Sequence, residues 1–426
     1  MTLKVALTNQ TKYELLLQIS QKVRNTLDLD EILNLLLDTL LTTIEYDAAG
    51  IFILNIAGII PQQMPTKVLI AGIARRGFDP HPEESDPMLM LGKGITGAVI
   101  DTGREAIIPD VRKDDRYVIG RTLTRSEIAV PIIMDGRAIG AFNVESDHLN
   151  AFGEKELEAL RFFADAAAIS IEKAMLHRNL LDKQHMDSQM KTASAIQARL
   201  IPDHAPSISG YDISGLYIPA DEIGGDYFDY IPLKDGRLGI VLADVSGHGV
   251  PAALVMSAFR ALLRTQAKEG SDPAAICLYI NKLLPEFSGD ADFVTAIYGI
   301  LNPTDGSFIH TNCGHHPILC LRANGKAENL TSSSPALGIF DDPSPENFTI
   351  NLHTGDALIC FTDGIVETQN HNGEIFGTKR LVEKLSGMKD LPAQEMISNV
   401  IQTVNLFCDN EPFEDDVTFL IVKKVT

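Results

Sequence analysis

Four short acidic motifs lie far apart in the second half of this 426-residue chain: Gly224-Gly225-Asp226, Asp244-Val245-Ser246-Gly247-His248-Gly249, Thr362-Asp363-Gly364 and Asp415-Asp416-Val417-Thr418. Three of them border apolar, strand-like runs: Leu238 to Ala243 before Asp244, Ala357 to Phe361 before Asp363, and Phe419 to Val422 after Asp415. Aspartates on strand ends, gathered only by folding, are a way to build a hard-cation site from oxygen ligands. Carboxylates leave coordination positions open for water, and a water held between two divalent ions is acidified toward hydroxide, which can attack phosphorus in line. The pattern therefore predicts a two-metal hydrolase acting on a phosphate, with no Cys or Ser nucleophile. His248, His315 and His316 are candidates either to assist the leaving oxygen or to make structural hydrogen bonds. Asp221, Asp305 and Asp356 stand in turn contexts, where a side chain bonds nearby backbone.

The charge pattern fits that chemistry. The net charge is −21, and from Leu200 onward 14 Lys and Arg face 30 Asp and Glu. No basic stripe exists to displace counterions, so nucleic acid is not the expected partner. The five cysteines (Cys277, Cys313, Cys320, Cys360, Cys408) are odd in number and form no CxxC pair, which predicts reduced, buried thiols. Met1-Thr2-Leu3-Lys4-Val5 lacks a signal-peptide layout, and no apolar stretch approaches a membrane span, so a cytoplasmic protein without a membrane partner is expected.

The elements that must position these residues are read from periodicity. Leu15, Ile19 and Val23, then Leu29, Ile32, Leu33, Leu36 and Leu40, recur at helical spacing, with Asp28 or Asp30 able to cap the second helix. Strands are expected near Ala49–Leu54 and Val68–Ile73, and Pro80–Pro87 reads as a polar loop. Glu127–Ile133 and Ala138–Val144 flank Asp135-Gly136, a strong hairpin signal. A helix without glycine or proline runs from Glu154 toward Pro202. Beyond Leu176 its apolar residues thin to Leu180, Met186, Met190, Ala193, Ile196 and Leu200, near an alternating four-three spacing that predicts a coiled-coil seam and a homodimer. From Ile213 strands and turns alternate, with helices at Pro251–Lys268 and Pro273–Leu284 and strand-rich stretches at Phe293–Cys320 and Phe348–Phe361. The expected class is α+β.

Leu91-Gly92-Lys93-Gly94-Ile95-Thr96-Gly97 contains GxGxxG, but the preceding Met88–Leu91 run is short and repeated βα units do not follow, so a dinucleotide fold is not predicted. Gly92–Gly97, Val99–Gly103, Ile108–Val111, Asp115–Tyr117, the Glu127–Gly140 hairpin and the Ala151–Leu157 helix start together resemble a GAF domain over about residues 20–175. The resemblance implies a sheet with helices on one side and a pocket for a small regulatory ligand of unknown identity. This half has no cysteine for a thioether-linked bilin. His81 and His148 are loop histidines and weak haem candidates, and a ligand-free dimerisation role is the competing reading.

Gly224–Phe228 also resembles the GGDEF signature of diguanylate cyclases, although Tyr227 replaces its acidic residue and the other motifs go unused. The ordered set Gln197–Pro202, Ile218–Asp229, Ala243–Gly249, Gly314–Pro317, Pro335–Ile339, Gly355–Glu367 and Asp415–Thr418 is similar to the SpoIIE/RsbU branch of the PPM (PP2C-like) serine/threonine phosphatases. That resemblance implies a β-sandwich flanked by helices over residues 197–426, holding two Mn2+ or Mg2+ ions. By this likeness Asp226 ligates one ion, Asp244 bridges both, the Val245 carbonyl completes a shell, and Asp363 and Asp415 hold the ions from the opposite side. Asp416 stands where the wider family often has asparagine and supports the ligands from outside, with Glu222 and Asp229 as further supports. No obvious counterpart of the wider fold's phosphate-binding arginine is present apart from Arg199 in the approach helix, so phosphate recognition is expected to rest almost wholly on the metals. The implied protein is a GAF sensor (1–175), a helical linker (176–196) and a phosphatase (197–426). Its implied substrate is a phosphoserine on a STAS (anti-anti-sigma) type partner. A scaffold with a dead catalytic fold and a cyclase-like enzyme are the rivals.

Overall fold

The computed structural model describes residues 29–54, 70–78, 92–268, 272–289, 292–331 and 334–426. The predicted helix around Leu15–Val23, the Pro80–Pro87 loop, the Met88–Leu91 run and His81 lie outside these residues. Two compact units divide the chain, one up to Met186 and one from Asp187.

The first unit contains α1 (Leu29–Leu40), β1 (Ala48–Leu54), β2 (Ile70–Arg76), α2 (Gly94–Thr102), β3 (Ala106–Ile108), β4 (Ser126–Met134), β5 (Arg137–Ser146) and the start of α3 (Glu154–Ala198). Its sheet runs β2-β1-β5-β4-β3, with every pair antiparallel. This arrangement rules out the parallel βαβ unit that a dinucleotide fingerprint requires. Alternation along the strands separates two faces. Ile128, Val130, Ile132, Phe142 and Val144 pack with Leu33, Leu36 and Leu40 of α1 and with Leu160, Phe163 and Ile171 of α3. Ala129, Ala141 and Phe52 face Ile95, Val99 and Ile100 of α2 on the other side. Helices thus cover both faces, not one: the apolar stripe of α2 is short but sufficient to close the second face. The β4–β5 turn has φ of 51° at Asp135 and 74° at Gly136, the left-handed pair that a two-residue hairpin needs.

Helix α3 is 45 residues long. Its apolar side is buried as far as Ile171, after which Leu176, Leu180, Leu181 and Met186 are exposed.

The second unit contains β6 (Tyr211–Ile218), β7 (Tyr227–Pro232), β8 (Leu238–Val245), α4 (Gly249–Ala267), α5 (Pro273–Leu283), β9 (Val294–Leu301), β10 (Ser307–Cys313), β11 (Ile318–Leu321) and β12 (Ala327–Leu330). It continues through β13 (Phe348–Asn351), β14 (Ala357–Phe361), α6 (Asp363–Val366), α7 (Gly377–Ser386), α8 (Ala393–Phe407) and β15 (Val417–Lys424). The strands form two five-stranded sheets, β13-β10-β9-β8-β7 and β12-β11-β14-β15-β6. Strand alternation gives three apolar layers. Leu238, Ile240 and Leu242 of β8 meet Leu358 and Cys360 of β14 and Leu420 and Val422 of β15 between the sheets. Val241, Ala243 and Val245 turn outward to Val255, Phe259 and Leu263 of α4 and Ile276 and Ile280 of α5. Phe419 and Ile421 turn the other way, to Leu381 and Leu385 of α7 and Met396, Val400 and Val404 of α8. The unit is therefore a β-sandwich flanked by helices, each large buried side chain contributing about 1.5–3 kcal/mol. Helices α7 and α8 went unread in the sequence, although Leu381/Leu385 and Met396/Val400/Val404 carry the i, i+4 spacing that announces them.

Candidate metal centre

The apolar stripe between the two sheets turns acidic at one end. Asp226 precedes β7 in the same alternation as Phe228 and Tyr230, and Asp244 follows Leu242 in that of β8. Thr362 follows Cys360 beyond β14, and Thr418 and Asp416 precede Leu420 on the β15 side. Period-two geometry thus aims these polar side chains at the mouth of the layer whose depth is hydrocarbon.

Asp226 is buried, and its Oδ2 accepts from Thr362 Oγ1 at 2.8 Å and Thr418 Oγ1 at 2.6 Å. The Thr418 amide donates to Thr362 Oγ1 at 2.9 Å, so the two hydroxyls form one cradle. Asp416 accepts from the amides of Ala220 (2.9 Å), Gly225 (2.7 Å) and Asp226 (3.3 Å), which pins the segment carrying Asp226. This close approach needs glycine. A Cβ at Gly224 would lie 1.8 Å from Asp416 Oδ2, and one at Gly364 would lie 2.1 Å from the Asp416 carbonyl oxygen. The Val245 carbonyl faces the same segment, 2.9 Å from where a Gly225 Cβ would stand.

Electrostatics binds the set into one site. Burial, then the charge of Asp244, pushes Asp226 well above the usual carboxylate range. Burial, then Asp363, Asp415 and Asp416, raises Asp244 to about 7. Asp415 is raised by burial and by Asp363, Asp416 and Glu367. Among the described residues none of these five aspartates is ion-paired to Lys, Arg or His. Carboxylates gathered with no internal counter-charge, from buried Asp226 and Asp416 through half-buried Asp244 and Asp363 to exposed Asp415, are a donor set for divalent cations, so the residues fit the ions that the motifs imply.

Of the expected supports, Asp229 points elsewhere. It accepts from Tyr227 Oη (2.5 Å) and the Tyr230 amide (2.7 Å) and pairs with Arg264, anchoring β7 to α4. Its position three residues after Asp226 places it on the opposite face of β7. Glu222 and Arg199 are exposed. His248 is exposed as well, 3.7 Å from Asp221. His315 is buried, with Nδ1 against Thr295 Oγ1 (2.6 Å) and Nε2 against the Phe361 carbonyl oxygen (3.1 Å). Burial lowers its pKa to about 3, so it is a neutral strut and not an acid for a leaving group. Asp305 bonds the Ser307 amide as a turn residue does; Asp356 accepts from the nearby His353 amide but also from the remote Ala323 amide (2.9 Å), and it pairs with Arg322. The sequence reading overlooked the Thr362 and Thr418 hydroxyls and the role of Gln197. The Gln197 Nε2 donates to the Gly224 carbonyl (2.6 Å), and its Oε1 accepts from the Gly224 amide (3.1 Å). It also gave Glu367 no role, yet His316, Asp363 and Glu367 bring ligand atoms within 4.8 Å of one another.

Residues 234–425 match the family described as Stage II sporulation protein E (SpoIIE), a span that includes Asp244, Asp363, Asp415 and Asp416, and residues 26–172 match the GAF domain family. This chain joins a GAF-type domain to a SpoIIE-type domain of PP2C-like fold. The phosphoserine phosphatase RsbU of Bacillus subtilis is 26% identical over 245 residues, covering 57% of this chain and 72% of that protein. Protein IcfG of Synechocystis is 26% identical over 268 residues, covering 55% of this chain but 41% of that protein. The SiaA PP2C domain of Pseudomonas aeruginosa superposes with a TM-score of 0.51 at 23% identity, covering 57% of this chain and 98% of that domain, a likeness of fold. Among the described residues no helix is long and apolar enough to cross a membrane.

The GAF domain carries its own buried polar group. Glu127 of β4 lies directly opposite Glu145 of β5, and both are buried. Asn143 Nδ2 reaches Glu127 Oε1 (3.4 Å) and Glu145 Oε1 (3.3 Å), and Thr124 Oγ1 donates to Glu145 Oε2 (2.5 Å). Burial foremost raises both carboxyls, Glu145 to about 7. His148 is exposed.

Proposed function

We propose that this protein is a bacterial signalling phosphatase that hydrolyses phosphoserine on a STAS (anti-anti-sigma) type protein partner, using two divalent ions under control of its GAF domain. The observation that carries the reading is the cluster of Asp226, Asp244, Asp363, Asp415 and Asp416, graded from buried Asp226 to exposed Asp415 and without cationic partners among the described residues, in a SpoIIE-type domain. Two relatives named phosphoserine phosphatases, RsbU and RsbP of Bacillus subtilis, support the choice of substrate.

Asp226, Asp244, the Val245 carbonyl, Asp363 and Asp415 would hold Mn2+ or Mg2+. Such ions lower the pKa of water and offset charge on phosphoryl oxygens. The chain's own residues do the positioning. Thr362 and Thr418 hold one oxygen of Asp226, leaving the other for coordination. Asp416 ties the Ala220–Asp226 backbone to the start of β15, so that ligands from both sheets keep their spacing. All five cysteines are buried, consistent with direct attack by water and not through a thiol. We assign 1–175 to the sensor, 176–196 to the linker and 197–426 to the phosphatase.

Hydrolysis of p-nitrophenyl phosphate by the full chain tests this reading. Turnover should require Mn2+ or Mg2+, disappear with EDTA and be lost in Asp244→Ala. Metal-independent turnover, or turnover undiminished in Asp244→Ala, would overturn it.

A further inference from the structure

The two adjacent histidines of the Gly314–Pro317 turn are held differently. Both ring nitrogens of His315 are engaged. The His316 ring stacks on Phe361 with centroids 5.9 Å apart at 22°, and among the described residues its nitrogens have no hydrogen-bond partner. Phe361 ends β14, two residues before Asp363, so this stacking fixes the His316 ring beside Asp363. The turn beneath is rigid. Asn312 Oδ1 accepts from the His315 amide (2.9 Å), and its Nδ2 donates to the His315 and His316 carbonyl oxygens (3.2 Å each).

Glu367 stands four residues after Asp363 and caps α6, which places both carboxylates on one side of a single turn. Like charges at this spacing repel. One ligand atom each from His316, Asp363 and Glu367 lies within 4.8 Å of the others, and no hydrogen bond joins any two of the side chains. Atoms bound to one ion at roughly 2.0–2.2 Å lie about 3–4 Å apart. Three donors already within 4.8 Å of one another, one of them an imidazole on a braced turn, need only small side-chain rotations to close on one ion. Imidazole suits first-row transition ions, whereas Mg2+ takes oxygen ligands.

We propose that His316 and Glu367 join Asp363 in a mixed imidazole–carboxylate cation position that selects a transition ion such as Mn2+ over Mg2+. The proposal extends the carboxylate centre beyond its aspartates and rests on the metal-dependent reading above, but fails separately from it.

Electron spin-echo spectroscopy of the full chain loaded with Mn2+ reads the proposal directly. The wild type should show nitrogen coupling from one coordinated imidazole, lost in His316→Ala and retained in His248→Ala. By calorimetry His316→Ala should weaken Mn2+ binding about tenfold or more, with Mg2+ affinity changed less than about twofold, whereas Glu367→Gln, which removes an oxygen ligand, should weaken both ions. A wild type without nitrogen coupling overturns the proposal whatever the variants do, as does coupling that survives in His316→Ala or an equal loss for both ions in that variant. Nitrogen coupling without phosphatase turnover would keep this site and remove the phosphatase reading. Turnover lost in Asp244→Ala, with no nitrogen coupling, would do the reverse.

Discussion

Asp416 takes no ion pair, yet both its oxygens are committed to backbone amides of the Ala220–Asp226 segment. Its contribution is to orient a ligand, and this sets it apart from the four aspartates around it. Asp416→Ala would strand the amides of Ala220, Gly225 and Asp226, each orphaned buried donor costing about 1–3 kcal/mol. The expected outcome is a marked drop in the melting temperature together with weaker Mn2+ binding. Asp416→Asn keeps one carbonyl acceptor and should lose less than half as much on both counts; equal losses in the two variants would contradict this role. Asp244, Asp363 and Asp415 were legible in the sequence because each borders an apolar run, and Asp226 because it stands in the Gly224-Gly225-Asp226 motif. The Thr362 and Thr418 hydroxyls were not, since a threonine beside a strand reads as β-propensity until the two sheets bring it to Asp226.

At the scale of elements, the end of α3 grips the metal-site backbone through the paired hydrogen bonds of Gln197 to Gly224. Arg260 of α4 adds a bond from Nε to the Leu200 carbonyl (2.7 Å). A conformational change arriving along α3 would therefore reach Asp226 through two residues of backbone. Gln197→Ala should weaken Mn2+ affinity by about 10–100-fold in calorimetry and also lower the melting temperature, since it leaves the buried Gly224 amide and carbonyl without their partner; unchanged affinity would remove α3 from the control path. The β4–β5 pair in the GAF domain makes a prediction of opposite character. Glu145 has a folded pKa of about 7, above an unfolded carboxylate near about 4.3. The folded state thus binds the proton more tightly, and stability is lost as pH rises through about 7. Glu145→Gln should leave the GAF melting transition nearly unchanged at pH 5 and raise it at pH 8, by up to about 3 kcal/mol; an equal effect at both pH values would exclude the carboxyl as the cause. The Asp135-Gly136 hairpin and the long helix were readable because turn chemistry and the lack of breakers are local signals. Coverage of the second GAF face by α2 was not, because a nine-residue helix buries too few apolar positions to declare its side.

For the whole molecule, the sequence separates cleanly into what local pattern determines and what assembly must supply. Apolar alternation in β8 and β15 announces buried sheets, but which sheet meets which depends on contacts remote in sequence. The exposed stretch of α3 is the converse case. Leu176, Leu180, Leu181 and Met186 are legible as apolar and are exposed in the single chain, so nothing within the described fold accounts for them. A long helix with little to pack against is marginal in water, and exposed leucine and methionine along such a helix are stabilised by burial against a second copy. The expected assembly is a homodimer joined along this stretch. Light scattering on the full chain should give twice the monomer mass, and Leu176→Glu with Leu180→Glu should reduce it to one. If α3 also carries control to the centre through Gln197, the same double variant should change the Mn2+ dependence of p-nitrophenyl phosphate turnover, because the register of the helix end would no longer be set by a partner. A fully dimeric double variant would place the interface elsewhere. A monomeric variant with unaltered metal dependence would keep the dimer but assign the GAF domain a different route to Asp226.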